Sequence, residues 1–279
     1  MSSKPLPDRM QVYENIMDHS LTPGIPFVVR LDGKNFSNRI KKWKCLKPFD
    51  THFHEIMNDT AMQLFKEIAD VKLVWFGSDE ISLLILEKDM DNPWYGKRIN
   101  KILSLTASIA TATFNLSAKK YNKLDRDYFN MELYPAYFDS RIIQIPNITE
   151  GFNNFIWRQR DCIRNSISGW SEYFYSAKEL IGKNSDEKIE MLKNKDFDFY
   201  KDAQSWSIYG TLLFKVNSIF DLTNKSKITT LFTESDLIKN KCYLNSEQFF
   251  VRKTYESIST PLTVETLYDY FNCNEMGIK

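Results

Sequence analysis

Cysteine, histidine and glycine are scarce in this chain. The four cysteines, at 45, 162, 242 and 273, show no C-x-x-C spacing, which argues against a zinc site or a disulfide framework and for buried free thiols in a reducing compartment. His19, His52 and His54 fall outside every motif identified below and read as surface or structural; no Ser-His-Asp or Cys-His constellation accompanies them. Charge of one sign is not in excess either. With 37 Lys and Arg against 36 Asp and Glu, the net charge is +1, so attraction for phosphates can come only from local clusters. Long apolar runs are missing too. The longest, Ile81 to Leu86 with Ser82 inside it, is far shorter than the ~20 residues that cross a bilayer. Met1-Ser2-Ser3-Lys4-Pro5 lacks the apolar core of a signal peptide. A cytoplasmic protein with no membrane partner is the expectation.

What is present suffices for a sizeable core. A chain of 279 residues with 43% hydrophobic and 26% charged residues holds one large or two modest domains. Residues 9–20 read as a short helix, and Phe27 to Leu31 as a buried strand between Pro26 and Gly33. Residues 33–49 carry Lys34, Arg39, Lys41, Lys42, Lys44 and Lys47 without a single acid. After Pro48 and Asp50, the residues Phe53, Ile56, Met57, Thr60, Ala61, Leu64, Phe65 and Ile68 recur at steps of three and four, the strongest helical period in the chain. Val71 to Phe76 and Ile81 to Leu86 form a hairpin around Gly77-Ser78-Asp79-Glu80. A helix from about Lys97 to Leu116 and a strand from Arg141 to Ile145 follow. A long helix then runs from about Asn153 to Ile181, with Ile163, Ile167, Trp170, Phe174, Ala177 and Ile181 on one face and Gly182 at its end. Ser185 or Asp186 caps a further helix to Asn194. Beyond Gly210, three strands are expected at 211–216, 228–232 and 249–253.

The order strand, helix, strand, strand, helix, strand is a ferredoxin-like βαββαβ unit in an α+β protein. Its topology seats the third strand beside the first, and so brings Asp32, at the end of the first strand, next to Asp79 in the hairpin. Two carboxylates so placed can bridge a pair of Mg²⁺ ions spaced by ~3.5–4 Å, the arrangement that clamps a phosphoryl transfer. Magnesium takes hard oxygens and keeps several waters. The Gly33 carbonyl, with no β-carbon in the way, is a third ligand. The basic segment beginning at Lys34 suits a triphosphate. In Trp157-Arg158-Gln159-Arg160-Asp161-Cys162-Ile163-Arg164-Asn165, the side chains of Arg158, Gln159, Arg160, Arg164 and Asn165 suit RNA phosphates or base edges.

Arg30-Leu31-Asp32-Gly33-Lys34-Asn35-Phe36, Lys47-Pro48-Phe49-Asp50, Ser78-Asp79-Glu80, Phe138-Asp139-Ser140-Arg141 and Trp157-Arg158-Gln159-Arg160-Asp161-Cys162 occur in this order. Together they resemble the tRNA-His guanylyltransferase family over roughly residues 10–215. The resemblance implies a polymerase-palm-like catalytic domain at 1–150 and a helical RNA-binding and C-terminal α/β region at 151–279. It implies nucleotide addition to the 5′ end of tRNA in the 3′-to-5′ direction, with ATP or GTP as activating and donor substrates. By the same resemblance Asp32, Gly33 and Asp79 hold two Mg²⁺, and Glu80 supports them. Arg30, Asn35, Phe36, Ser37, Lys47, Asp50 and Ser78 contact the nucleotide, with further phosphate contacts from Arg98, Lys101 and Arg141; a homotetramer is expected.

Family members that guanylylate tRNA-His carry a His-Ile-Asn-Asn-Leu-Tyr-Asn run, whereas this chain has Ile163-Arg164-Asn165-Ser166-Ile167-Ser168-Gly169. That resembles the guanylyltransferase-like branch, associated with template-dependent repair of tRNA 5′ ends. Two other functions stay open on the residues alone: a nucleotide cyclase with a palm-like fold, and a non-catalytic RNA-binding module.

Overall fold

The computed structural model describes residues 5–87, 89–124, 134–221, 227–231 and 249–275; Cys242 lies outside them. In chain order the elements are α1 (Leu6–Asn15), β1 (Phe27–Gly33), α2 (Phe36–Lys42), α3 (Thr51–Glu67), β2 (Val71–Gly77), β3 (Glu80–Ile85), α4 (Ile99–Leu124) and β4 (Phe138–Gln144). Then come α5 (Ile148–Phe174), the short helices α6 (Ala177–Leu180), α7 (Ser185–Lys193), α8 (Phe199–Asp202) and α9 (Ser205–Tyr209), strands β5 (Thr211–Asp221), β6 (Lys227–Leu231) and β7 (Phe249–Ile258), and α10 (Val264–Glu275).

One antiparallel sheet carries the order β4-β1-β3-β2-β5-β6, with β7 also paired to β5. The first four strands have the order that the ferredoxin-like reading requires. β5 joins the edge of β2 through Phe76 and Thr211, so the C-terminal strands continue the same sheet.

Both faces of the central strands are covered, which is why every residue of β2 is buried, Lys72 included, instead of alternating between core and solvent. On one face Val29, Leu31, Phe76, Ile81 and Leu83 pack against Ile56, Leu64 and Phe114 of α3 and α4. On the other, Val28, Trp75 and Leu84 meet Phe152 and Phe155 of α5 together with Leu262 and Leu267. Each fully buried side chain of this size contributes about 1.5–3 kcal/mol relative to exposure.

Two expectations are corrected. The basic stretch after Gly33 contains a helix, α2, where no element had been read. The long helix stops at Phe174, because Tyr175 is extended and Ser176 with Glu179 opens a new capping box; Ile181 is consequently 77% exposed instead of on a buried face.

Candidate active site

Asp32 is the Cα partner of Glu80 on one side and of Asp139 on the other. The Gly33 N–H donates to the Asp79 carbonyl at 3.1 Å, tying the end of β1 to the β2–β3 turn. That turn is tight. Ser78 adopts φ +53°, and its hydroxyl donates to Asp79 Oδ1 at 3.1 Å. Burial, and after it the charge of Asp32, lifts the Asp79 carboxyl to about 6. Two carboxylates in mutual repulsion thus open onto a cleft of about 470 Å³ that both of them line.

This donor set fits magnesium. Among the described residues no three His, Cys, Asp or Glu side chains gather as a metal cage; a magnesium ion held by these two carboxylates would complete its ligands with water and phosphate oxygens. The electrostatic cost of holding Asp79 ionised beside Asp32 is one that a divalent cation removes. Gly33 is required sterically: a β-carbon there would come within 2.4 Å of the Phe36 ring.

Glu80 is committed elsewhere. Arg158 on α5 donates to both of its carboxylate oxygens, Nε at 2.7 and 3.0 Å, while the terminal nitrogen lies 2.7 Å from Oε2. Arg158 also pairs with Asp161, which in turn pairs with Arg164. Arg158 is therefore a strut between α5 and β3 and not a free cation for RNA. Gln159 is corrected likewise. It is buried, its amide donates to the carbonyls of Tyr209 and Thr260 at 2.9 Å, and its oxygen accepts from Leu262 N–H at 2.7 Å. Both ends of the amide are used within the chain, which leaves nothing to read a base. Arg160, Arg164 and Asn165 are exposed on α5, with Asn165 at the cleft wall.

Of the expected nucleotide contacts, Ser37, Asp50 and Ser78 line the cleft. Asp50 is the N-cap of α3, accepting from Phe53 N–H at 3.1 Å and Leu46 N–H at 2.7 Å. Lys34 and Lys47 are exposed, and Asn35 caps α2 with φ +59°. Arg30 lies opposite Arg141 across the β1–β4 pairing, with its guanidinium 5.8 Å from the Trp157 ring; Arg141 pairs with Asp139 at 3.0 Å. Phe36 does not face the cleft. Its ring is buried against Trp43 and Phe114. Arg98 and Lys101 are at the far end of the sheet, because α4 runs antiparallel to β4, with Thr106 beside Ser140 and Asn115 bonded to Ala136. There Arg98 pairs with Asp18 at 3.5 Å, and Lys101 lies 5.8 Å from the Tyr95 ring.

The apolar half of the cleft was not anticipated. His54 is sandwiched between Phe76 at 5.3 Å and Trp206 at 4.3 Å, both stacked, and Phe49, Trp75 and Cys162 complete the wall. Burial lowers the His54 imidazole to about 4, so it is a neutral flat ring and not a surface histidine. Its one sequence signal is position, four residues after Asp50 on the same face of α3; Trp206 carried none. Cys45 and Cys162 are free thiols in the cleft wall, each pushed up to about 12, chiefly by burial, and neither is a nucleophile.

A βαββαβ sheet with paired carboxylates at a strand end and the adjoining hairpin defines a palm-like nucleotidyltransferase. Comparison narrows the class. A family model described as tRNAHis guanylyltransferase matches residues 7–146. A probable tRNA(His) guanylyltransferase of Dictyostelium discoideum is 30% identical over 79% of this chain and 89% of its own length. The Bos taurus counterpart is 31% identical over 54% of this chain, a match that spans 48% of that protein. A bacterial tRNA(HIS) guanylyltransferase (Thg1)-like protein, solved in complex with ATP, is 30% identical, covers 86% of this chain and superposes with a TM-score of 0.67; its complex with GTP gives 0.63. This chain belongs to the tRNAHis guanylyltransferase family.

Proposed function

We propose that the protein extends the 5′ end of tRNA in the 3′-to-5′ direction, choosing each nucleotide by pairing with the opposite strand. The observation that carries this reading is the coupled pair Asp32 and Asp79 in one cleft, with Asp79 lifted by burial and by its neighbour. The 5′ phosphate of the RNA, as a triphosphate or after adenylylation by ATP, is the electrophile. The 3′-hydroxyl of an incoming nucleoside triphosphate attacks it, and pyrophosphate or AMP leaves. ATP and GTP, present in the complexes of the bacterial relative, would serve this chain as activating and donor nucleotides.

Asp32, Asp79 and the Gly33 carbonyl would hold Mg²⁺. When bound, Mg²⁺ neutralises the charge that develops on the transferring phosphate. The chain's own residues do the rest. Ser78 orients the Asp79 carboxylate, Arg158 keeps Glu80 from adding a third free negative charge, and the His54–Trp206 stack gives the cleft an apolar wall. Within the stretch that departs from the histidine-guanylylating pattern, Ser166 lines the cleft beside the exposed Asn165, whereas Ile167 is buried against Trp170 and Leu192. The altered residues of that stretch support repair of truncated 5′ ends over dedicated guanylylation of tRNA-His.

A homotetramer and a cytoplasmic location belong to the same reading. Supporting self-association, α1 buries none of its residues and exposes Leu6, Met10, Val12 and Tyr13.

The test incubates the protein with a 5′-truncated tRNA, ATP, Mg²⁺ and each labelled nucleotide separately. Growth at the 5′ end dictated by the opposite base is expected, and it should vanish in Asp32→Ala and Asp79→Ala while both stay folded. Retention of activity by both variants would remove the carboxylates from the chemistry. A cyclic nucleotide formed without RNA would replace the reading altogether.

A further inference from the structure

The outer face of α2 and the segments that flank it carry charge of one sign. From 33 to 49 there are six cationic residues and no acid, and Lys34, Lys41, Lys42, Lys44 and Lys47 are all exposed. Two of the cations do not point into water alone. Lys42 Nζ lies 4.7 Å from the Tyr134 ring, and the Arg39 guanidinium 5.0 Å from the Tyr137 ring. Both rings are exposed, Tyr134 by 36% and Tyr137 by 48%. The pairs are built rather than incidental. Arg39 is anchored by the carbonyls of Lys34 and Pro135, and Trp43 Nε1 donates to the Tyr134 carbonyl at 2.8 Å. Asn35, Asn38, Arg39, Lys42 and Tyr134 surround a hollow of about 130 Å³.

This surface is continuous with the active site. Lys34 N–H donates to the Tyr137 carbonyl at 2.8 Å, one residue beyond the Gly33–Phe138 pair that ends the β1–β4 ladder, and Ser37 of α2 lines the cleft itself. Cations alone would suffice for phosphates. Exposed aromatic faces add something only where bases are unpaired, because a duplex hides its base faces. A recessed 5′ end lying in the cleft leaves unpaired bases in one place nearby, on the strand opposite it.

We infer that α2 with Tyr134 and Tyr137 binds the unpaired stretch of the RNA strand opposite the 5′ end, stacking its bases on the tyrosines while Lys41, Lys42 and Arg39 hold its phosphates. The inference rests on the RNA-directed reading above.

Binding is measured by fluorescence anisotropy with the full chain and three synthetic hairpins: blunt, 5′-recessed with an unpaired 3′ tail, and the same tail made abasic. The wild type should prefer the tailed hairpin to the blunt one, and the Lys42→Ala/Tyr134→Ala double variant should bind the tailed hairpin about ten-fold more weakly. Its affinity for the blunt hairpin should be unchanged. Tyr134→Phe, which keeps the ring, should restore the preference; Lys41→Ala/Lys42→Ala serves if the tyrosine variant folds poorly. Equal loss on the abasic tail would assign the patch to phosphates and overturn base stacking. An unchanged preference in both variants would overturn the patch entirely. A wild type that neither binds nor extends any hairpin would instead sink the functional reading.

Discussion

Arg158 holds Glu80 by both carboxylate oxygens, at 2.7 to 3.0 Å, across the gap between helix α5 and the strand that begins beside Asp79. The two side chains are only 18% and 12% exposed, so neither can be removed without leaving the other charge poorly solvated. The fork has two consequences, one for stability and one for the site. It locks α5 to the β2–β3 hairpin, and it neutralises an acid whose charge otherwise adds to the repulsion on Asp79.

A double-mutant cycle tests the first. Arg158→Gln and Glu80→Gln should each destabilise by about 2 kcal/mol in urea unfolding, and the double variant by clearly less than their sum. Additive losses would mean that the contact is energetically idle. Arg158→Gln should also depress nucleotide transfer more than Arg158→Lys, which keeps the charge without the planar fork.

Asp79→Asn should make the metal-free protein more stable at neutral pH. A carboxyl raised from 3.8 to about 6 in the folded state costs stability that builds as the pH rises from 3.8 and is complete above about 6, about 3 kcal/mol in all. The amide removes that cost. Mg²⁺ should raise the melting temperature of the wild type, chelator should reverse it, and the variant should respond to neither. An equal response of both proteins would place the cation elsewhere.

His54 predicts an acid-side loss of stability. Its folded value is lowered from 6.5 to about 4 by burial, so between those values the unfolded chain binds the extra proton. Stability from this group is therefore intact above about 6.5 and falls as the pH drops toward about 4, by about 3 kcal/mol in all. Unfolding followed across that window should show a shallower slope for His54→Phe than for the wild type.

Gln159→Ala should destabilise by about 3 kcal/mol, since it orphans the carbonyls of Tyr209 and Thr260 and the N–H of Leu262. RNA affinity of the folded variant, measured below its unfolding transition, should be unaltered. A selective loss of RNA binding would return Gln159 to the role its motif suggests.

Much of the fold was legible because it is encoded locally. The period of three and four from Phe53 to Ile68, the apolar runs around Gly77-Ser78-Asp79-Glu80 and the order of the elements are enough to specify β4-β1-β3-β2. Asp32 and Asp79 follow from that order. The charged motif on α5 was legible as a motif but not as a set of roles. An arginine facing solvent and one facing a buried carboxylate have the same spacing along a helix.

The amino-acid order by itself determined the first four strands of the sheet, the family and the meeting of two distant carboxylates, because hydrophobic period and turn chemistry act between near neighbours and topology does the rest. Only the tertiary structure decided which polar groups are spent inside the protein. Arg158 went to Glu80, Gln159 to three backbone groups contributed by residues 209, 260 and 262, and Phe36 to the core. It also assembled the His54–Trp206 wall from segments some 150 residues apart. Desolvation compels each buried polar group to find a partner, and the partner's identity depends on which remote segment folding delivers to it.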